Sequence, residues 1–102
     1  MSDPAERDVV FLIADLAGYT ALTEAHGGTE AAKVVHRYVD LAERALRPDV
    51  QIVERVGDEL LIVGREPGAV VETALALHGA IEAEALFPSV RMGIHAGRVV
   101  EE

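Results

Sequence analysis

The sequence predicts an α+β domain of the ferredoxin-like type, a four-stranded antiparallel sheet with two helices on one face. Short apolar runs alternate with longer segments of helical periodicity in the order β-α-β-β-α-β. A Gly-Asp pair between the second and third strand patterns is typical of a hairpin. The chain has 102 residues, which suits one domain, and 50% of them are hydrophobic, which is enough for a core.

The first predicted strand is the apolar run DVVFLIA, from Asp8 to Ala14. Such a run is typical of a strand that is buried on both faces. Residues 1–7 are polar and acidic, and we expect them to form a flexible leader before a domain of residues 8–102. The strand pattern ends at Asp15, where a turn begins.

A long helix is predicted between the first two strands. Residues 21–26 have helical character, and Gly27 and Gly28 then break the pattern. The main helix is expected to run from Thr29, a suitable N-cap residue, to Arg47, because a Pro-Asp pair follows. Its apolar side chains recur at helical spacing and should face the sheet. They are Val35, Tyr38, Val39, Ala42 and Leu46.

The middle of the chain predicts a hairpin. Residues 50–56 alternate imperfectly between apolar and polar types, whereas residues 59–64 are mostly apolar. Gly57 and Asp58 form the two-residue connection between these strands.

A second helix and a last strand complete the pattern. The helix is expected over residues 68–86, with Pro67 near its first turn. The last strand lies within residues 89–100, with Arg91 and His95 on one face. The opposite face of that strand carries Val90, Met92, Ile94 and Ala96. The apolar stripe of the helix consists of Val70, Val71, Ala74, Leu75, Leu77, Ala80, Ile81 and Ala85.

The charge balance excludes several classes of function. Eighteen acidic residues oppose nine basic ones, so the formal net charge is −9. This charge disfavours nucleic acid and anionic membranes as partners, because both bind through basic residues. The absence of cysteine excludes thiolate metal sites and cysteine nucleophiles. No apolar run is long enough to span a membrane and the first residues do not resemble a signal peptide, so we expect a cytosolic protein.

Two aspartates are the strongest candidates for chemistry. Asp15 ends the first strand and Asp58 lies in the hairpin, and we expect both at one end of the sheet because their strands lie in its centre. Two close carboxylates repel each other unless a cation lies between them, and Mg²⁺ or Mn²⁺ suits such a site. The turn around Gly18 can present backbone N–H groups to phosphate. The alternative is that both aspartates are structural, one as a cap and one as a turn residue.

Three motifs resemble those of class III adenylyl and guanylyl cyclases. The segment FLIADLAGYT is similar to the family pattern F-x-D-(I/L)-x-G-(F/Y)-T, with a longer spacing between Phe11 and Asp15. The segment ERVGD resembles the hairpin pattern (K/E)-x-x-G-D, and RMGIHAG resembles the strand pattern R-x-G-I-H-x-G. The motifs follow the order of the family across the globular part of the chain.

The resemblance implies a reaction and a set of roles. The 3′-hydroxyl of a nucleoside triphosphate would attack the α-phosphorus with loss of pyrophosphate, helped by two Mg²⁺ or Mn²⁺ ions. Asp15, Asp58 and the Leu16 carbonyl would bind the metal ions, and Asp15 and Asp58 would thereby be the catalytic residues. The remaining implied contacts are with the nucleotide. They comprise the amides of Leu16, Ala17, Gly18, Tyr19 and Thr20, the hairpin residues Glu54, Val56 and Gly57, and Arg91 from the last strand.

Glu54 bears on the choice of base. The resemblance implies that Glu at this position accepts hydrogen bonds from guanine, whereas a Lys there would favour adenine, so GTP and ATP both remain open. A salt bridge of Glu54 with Arg55 or Arg65 is the structural alternative.

The resemblance also implies parts that this sequence lacks. The family domain supplies an Asn and an Arg that stabilise the transition state across a dimer interface, and this chain contains no Asn. We therefore expect a domain truncated before the C-terminal part of the family, inactive alone and completed by a second cyclase-type subunit in a homodimer or heterodimer. The alternatives are a catalytically incomplete module that binds nucleotide or regulates a partner, and a ferredoxin-like domain whose acidic residues are only structural.

Overall fold

The computed structural model describes residues 6–100, without the side chains of Tyr19, Thr20, Leu22, Thr23 and His26. The sequence analysis assigned residues 1–7 to a leader; residues 1–5 lie outside the described part, whereas Glu6 and Arg7 are the first residues of a strand that pairs with the last strand of the chain. The elements in chain order are β1 (Glu6–Leu16), α1 (Tyr19–Ala45), β2 (Val50–Val56), β3 (Glu59–Gly64), α2 (Pro67–Glu82) and β4 (Val90–Val100). None of the helices in this described part is long and apolar enough to cross a membrane.

The strands form one antiparallel sheet in the order β2-β3-β1-β4, so the predicted ferredoxin-like fold is confirmed. β1 is central and pairs with β4 along its whole length, from Glu6 opposite Val100 to Leu16 opposite Val90. On its other side β1 pairs with β3. The hairpin is not wholly central as predicted, because β2 is an edge strand and only β3 lies beside β1. The end of β1 and the hairpin are still neighbours, because β3 directly follows the turn.

The two faces of the sheet differ in burial. Leu12, Ala14 and Leu16 of β1 are buried under the helices, whereas Ile13 on the opposite, open face is 45% exposed. The prediction that β1 is buried on both faces is therefore wrong. In a four-stranded sheet whose helices cover one side, alternate residues of even the central strand face outward.

The helices follow the predicted positions with shifted ends. α1 begins at Tyr19, and its two helical parts meet at Gly27, whose backbone (φ 81°, ψ 168°) is not helical. The glycine pair thus produces a kink rather than a gap. Thr29 is not the N-cap of α1; Gly18 is, with φ 77° in the left-handed region that glycine adopts easily. α1 ends two residues earlier than predicted, at Ala45.

The end of α2 was predicted incorrectly. The helix stops at Glu82 instead of residue 86, and Leu86 adopts a left-handed backbone with φ 56°. Alanine-rich sequence continues through this region and contains no helix-ending signal before Pro88. Val71 and Leu75, predicted for the apolar stripe, are exposed, Leu75 by 66%. The buried positions of α2 are Val70, Thr73, Ala74, Leu77 and Ile81.

The core is aliphatic apart from one tyrosine. Side chains of both helices pack with those of the covered sheet face, and Tyr38 of α1 is among them. An ion pair also links α1 to the segment after α2: Arg37 Nε lies 2.6 Å from Glu84 Oε1. The Arg37 guanidinium holds the pKa of Glu84 below its usual range, chiefly through this hydrogen bond.

Candidate functional site

The carboxylate end of the sheet, which we define by Asp15, Gly18 and Asp58, forms where β1 ends beside the β2–β3 hairpin. Gly57 has φ 61°, so the two-residue connection uses the left-handed conformation that this turn requires. The backbone N–H of Leu16 donates to Asp58 Oδ2 at 3.2 Å. Asp58 is thereby held against the residue that directly follows Asp15. The strand pairing brings both predicted aspartates to one end of the molecule.

Asp15 is paired with Arg91. Arg91 Nε donates to Asp15 Oδ1 at 3.2 Å, and Nη2 donates to Oδ2 at 3.3 Å. The two residues are direct cross-strand partners in the β1–β4 register, which places their side chains on the same open face. Both oxygens of Asp15 thus accept hydrogen bonds from one guanidinium, the bidentate geometry that arginine favours.

The turn between β1 and α1 presents fewer amides than the sequence analysis assigned to phosphate. The Leu16 N–H donates to Asp58, and the Ala17 N–H donates to the carbonyl oxygen of Ser89 at 2.8 Å. The amides of Gly18, Tyr19 and Thr20 lie at the start of α1, where N–H groups have no acceptor within the helix. None of the side chains that the structure describes caps this helix end.

Glu54 lies on the open face, because it pairs with Leu61 of β3, which in turn pairs with Ile13 of β1. The register shifts between Ile52 and Glu54, which explains the imperfect alternation of β2. Arg55 does not form the salt bridge considered for Glu54; its Nε donates to the Gly57 carbonyl oxygen at 3.3 Å. Arg65, the other partner considered, follows β3 at the opposite end of the hairpin, where Gly64 pairs with Val50.

Two residues at this end were not recognised from the sequence. Tyr38 was assigned only to the core, yet its hydroxyl is coupled to the site. Burial raises the pKa of Tyr38 well above its usual value, and the negative charges of Asp15, Asp58 and Glu59 act in the same direction. Glu59 directly follows Asp58, so a third carboxylate could have been noted from adjacency alone. Nothing in the hydrophobic pattern distinguishes Tyr38 from the other core positions of α1.

The donor groups at the carboxylate end suit a hard divalent cation. Carboxylate and carbonyl oxygens are the ligands that Mg²⁺ and Mn²⁺ prefer. Among residues 6–100, no group of three or more His, Asp or Glu side chains is arranged to hold a metal ion. Mg²⁺ is commonly held by one or two carboxylates together with substrate phosphates and water, so a pair of carboxylates is compatible with such an ion.

Comparison with known proteins identifies the same family as the motifs. No protein-family model matches the chain. A pH-sensitive adenylate cyclase of Mycobacterium tuberculosis is 30% identical over 95% of this chain, and the match covers 24% of that protein. The chain spans about a quarter of the length of the curated relatives that it matches, all of which are adenylate cyclases.

Solved structures share the fold across almost the whole chain. A bacterial light-regulated adenylyl cyclase superposes with a TM-score of 0.84 at 19% identity, covering 97% of this chain and 58% of that one. The guanylyl cyclase Cya2 superposes with a TM-score of 0.78, also at 19% identity, covering 97% and 58% of the two chains. Sequence motifs, curated relatives and fold therefore agree: over most of its length the chain is similar to the class III adenylyl and guanylyl cyclase domains.

Proposed function

We propose that this chain carries the metal and triphosphate half-site of a nucleotidyl cyclase, which converts GTP or ATP to a 3′,5′-cyclic nucleotide and pyrophosphate. The observation that carries the proposal is the hydrogen bond of Asp58 to Leu16. It fixes the hairpin aspartate beside Asp15, at the start of α1. Carboxylates for a cation and free amides for a phosphate thus lie next to each other.

Asp15, Asp58 and the Leu16 carbonyl are the groups that would hold Mg²⁺ or Mn²⁺. When bound, such ions lower the pKa of the attacking 3′-hydroxyl and stabilise charge on the phosphates. Asp58 is already oriented by the Leu16 amide. Arg91 competes with a cation for Asp15, because both carboxylate oxygens accept from that guanidinium.

The triphosphate would lie against the first turn of α1. The amides of Gly18, Tyr19 and Thr20 remain for its oxygens, since those of Leu16 and Ala17 already donate elsewhere. The positive end of the helix dipole favours an anion at this position. Arg91, once released from Asp15, carries its charge on the same face and is placed to bind phosphate.

The base would extend along the open face toward Glu54. Glu54 lies two strands away from β1, opposite Ile13, and Ile13 is two residues before Asp15. Strand spacing and rise per residue then give about 12 Å between Glu54 and Asp15, a distance that a nucleotide can span. Val56 and Gly57 are exposed at the end of the edge strand, where they would contact the nucleotide between the phosphates and the base. A carboxylate accepts hydrogen bonds and cannot donate them, which favours the donor edge of guanine over the acceptor N1 of adenine.

The second half of the site would come from another cyclase-type subunit. This chain contains no Asn and therefore cannot supply the amide that the family motif uses, so the 102 residues alone should be inactive. The runner-up function is a catalytically incomplete module that binds nucleotide or regulates a partner. Neither proposal includes nucleic acid or a membrane as a partner. The net charge of −9 suits a cytosolic protein.

Calorimetric titration with Mn²⁺ and a non-hydrolysable GTP or ATP analogue tests the proposal. We expect nucleotide binding that requires the metal ion, with GTP preferred. Absence of binding by the folded chain would contradict both the catalytic and the regulatory reading. Assays of cyclic product then distinguish these two, first with the chain alone and then with a complementary cyclase subunit.

The Glu54→Lys variant tests the base assignment in the same titration. Lysine donates where glutamate accepts, so the preference should move from the GTP analogue toward the ATP analogue. Thermal unfolding of the variant serves as the control, since Glu54 is exposed and its replacement should leave the melting temperature nearly unchanged. An unaltered preference would remove Glu54 from base recognition.

A further inference from the structure

The hydroxyl of Tyr38 is a buried polar group without a hydrogen-bond partner among the described residues. The whole residue is 0% exposed and belongs to the core. Buried tyrosine hydroxyls usually find a partner, because leaving one unsatisfied is destabilising. An aliphatic or phenylalanine side chain would fill this position at a smaller cost. The hydroxyl therefore calls for an explanation beyond packing.

The direction of α1 places the Tyr38 hydroxyl on the side of the carboxylate end. α1 ends at Ala45, close in sequence to the start of β2, so its earlier turns lie toward the β2–β3 hairpin. Long side chains of a helix lean toward its N-terminus, which directs the ring of Tyr38 the same way. The negative charges of Asp15, Asp58 and Glu59 all raise the pKa of the hydroxyl, which agrees with this direction.

The neighbouring carboxylate oxygens already accept hydrogen bonds from other groups. Both oxygens of Asp15 accept from Arg91, and Asp58 Oδ2 accepts from the Leu16 amide. In the free domain the Tyr38 hydroxyl is not paired with any of these oxygens. Binding of a cation would change the orientation of the carboxylates.

We infer that Tyr38 is a positioning residue for the metal site, whose hydroxyl donates a hydrogen bond to Asp58 when the Asp15–Asp58 pair binds a divalent cation. This inference rests on the proposed function. In the free domain the hydroxyl contributes nothing to stability. In the metal-bound domain it fixes the orientation of a ligand, as outer hydrogen bonds commonly do at metal sites.

The test compares Tyr38→Phe with Thr73→Val, two variants that each remove one buried hydroxyl. Thr73 is a matched control, because its Oγ1 accepts from the Arg47 N–H at 3.1 Å and donates to the Ala69 carbonyl at 2.9 Å, at the end of the sheet away from the carboxylates. Each protein is unfolded thermally without metal and titrated with Mn²⁺ alone, followed by calorimetry and electron paramagnetic resonance.

We expect opposite patterns. Tyr38→Phe should keep or raise the metal-free melting temperature and weaken Mn²⁺ binding about three- to tenfold. Thr73→Val should lower the melting temperature by about 4–8 °C and leave Mn²⁺ affinity unchanged.

Three results would overturn the inference. If Tyr38→Phe binds Mn²⁺ like the unaltered chain, the hydroxyl does not position the ligands, although the proposed function stands. If Tyr38→Phe unfolds or is strongly destabilised without metal, the hydroxyl has a structural partner in the free domain. If the unaltered chain binds Mn²⁺ neither alone nor together with the nucleotide analogue, the proposed function fails together with the inference.

Discussion

The two ends of the sheet are built on opposite principles. At the end opposite the carboxylates, which we define by Arg47, Gly64 and Thr73, packing is tight and polar groups are paired. A Cβ added to Gly64 would lie 2.6 Å from Val70 Cγ2, and the Thr73 hydroxyl both donates and accepts. At the carboxylate end, the Tyr38 hydroxyl has no partner within the described part of the chain, and several acidic groups lie close together.

The difference teaches where stability and function are located in this fold. Paired groups and close packing at one end stabilise the domain without contributing chemistry. Unpaired donors and clustered carboxylates at the other end add little to the stability of the free domain, and on the proposed function they would bind a cation and an anion. Substitutions at the two ends should therefore separate ligand binding from stability.

The largest expected effect is the loss of metal binding in Asp58→Asn. The amide oxygen of Asn can still accept the hydrogen bond from Leu16, so the fold should keep its melting temperature within a few degrees. The negative charge is lost, and Mn²⁺ affinity should fall more than about tenfold in a calorimetric titration.

Asp49→Asn is the matched control at the opposite end. Asp49 adopts a left-handed backbone with φ 64°, which Asn tolerates, so its replacement should not strain the chain. Mn²⁺ affinity should be unchanged in this variant. Equal losses in both variants would show that overall charge, and not the site, attracts the cation.

The next effect is a loss of stability without a loss of binding. Gly64→Ala should lower the free energy of unfolding by about 1–3 kcal/mol, because the new methyl group would clash with Val70 and Val50. Gly79→Ala is the control in α2, where nothing lies within 4 Å of the added Cβ, and it should stabilise by up to about 1 kcal/mol. Urea unfolding measures both, and a stabilised Gly64→Ala would contradict the tight packing.

The smallest effect appears only in alkaline solution. The pKa of Tyr38 is raised in the folded state, so its proton is lost first from the unfolded chain as the pH passes about 10. Below that pH, Tyr38 should not change the free energy of unfolding. Above it, the free energy of unfolding should fall by about 1.4 kcal/mol per pH unit. Urea midpoints at pH 9 and 11 should show this decline in the unaltered chain and a smaller one in Tyr38→Phe. Parallel declines would place the hydroxyl in ordinary solvent.

The sequence predicts the fold and the meeting of two aspartates because both depend on chain order. The Gly57–Asp58 pair lies between two strand patterns and is observed as the hairpin connection. Burial on both faces of β1 was predicted wrongly, because an unbroken apolar run does not reveal which residues face outward. Ile13 is exposed although its composition suits a core.

The details of the candidate site depend on pairings that no local pattern specifies. The bidentate contact of Arg91 with Asp15 follows from the β1–β4 register, which is set by residues distant in sequence. The unpaired hydroxyl of Tyr38 depends on which acceptors its neighbours already occupy. The hydrophobic periodicity of α1 locates the ring in the core and gives no information about the partner of its oxygen.

The guanidinium of Arg91 acts as a built-in counter-ion for the Asp15 carboxylate. In the free domain Arg91 neutralises a carboxylate that would otherwise repel its neighbours. On the proposed function, a cation at Asp15 would displace this arginine, whose charge would then be available to an incoming polyphosphate. The positive charge that leaves the carboxylate would thus gain a new negative partner.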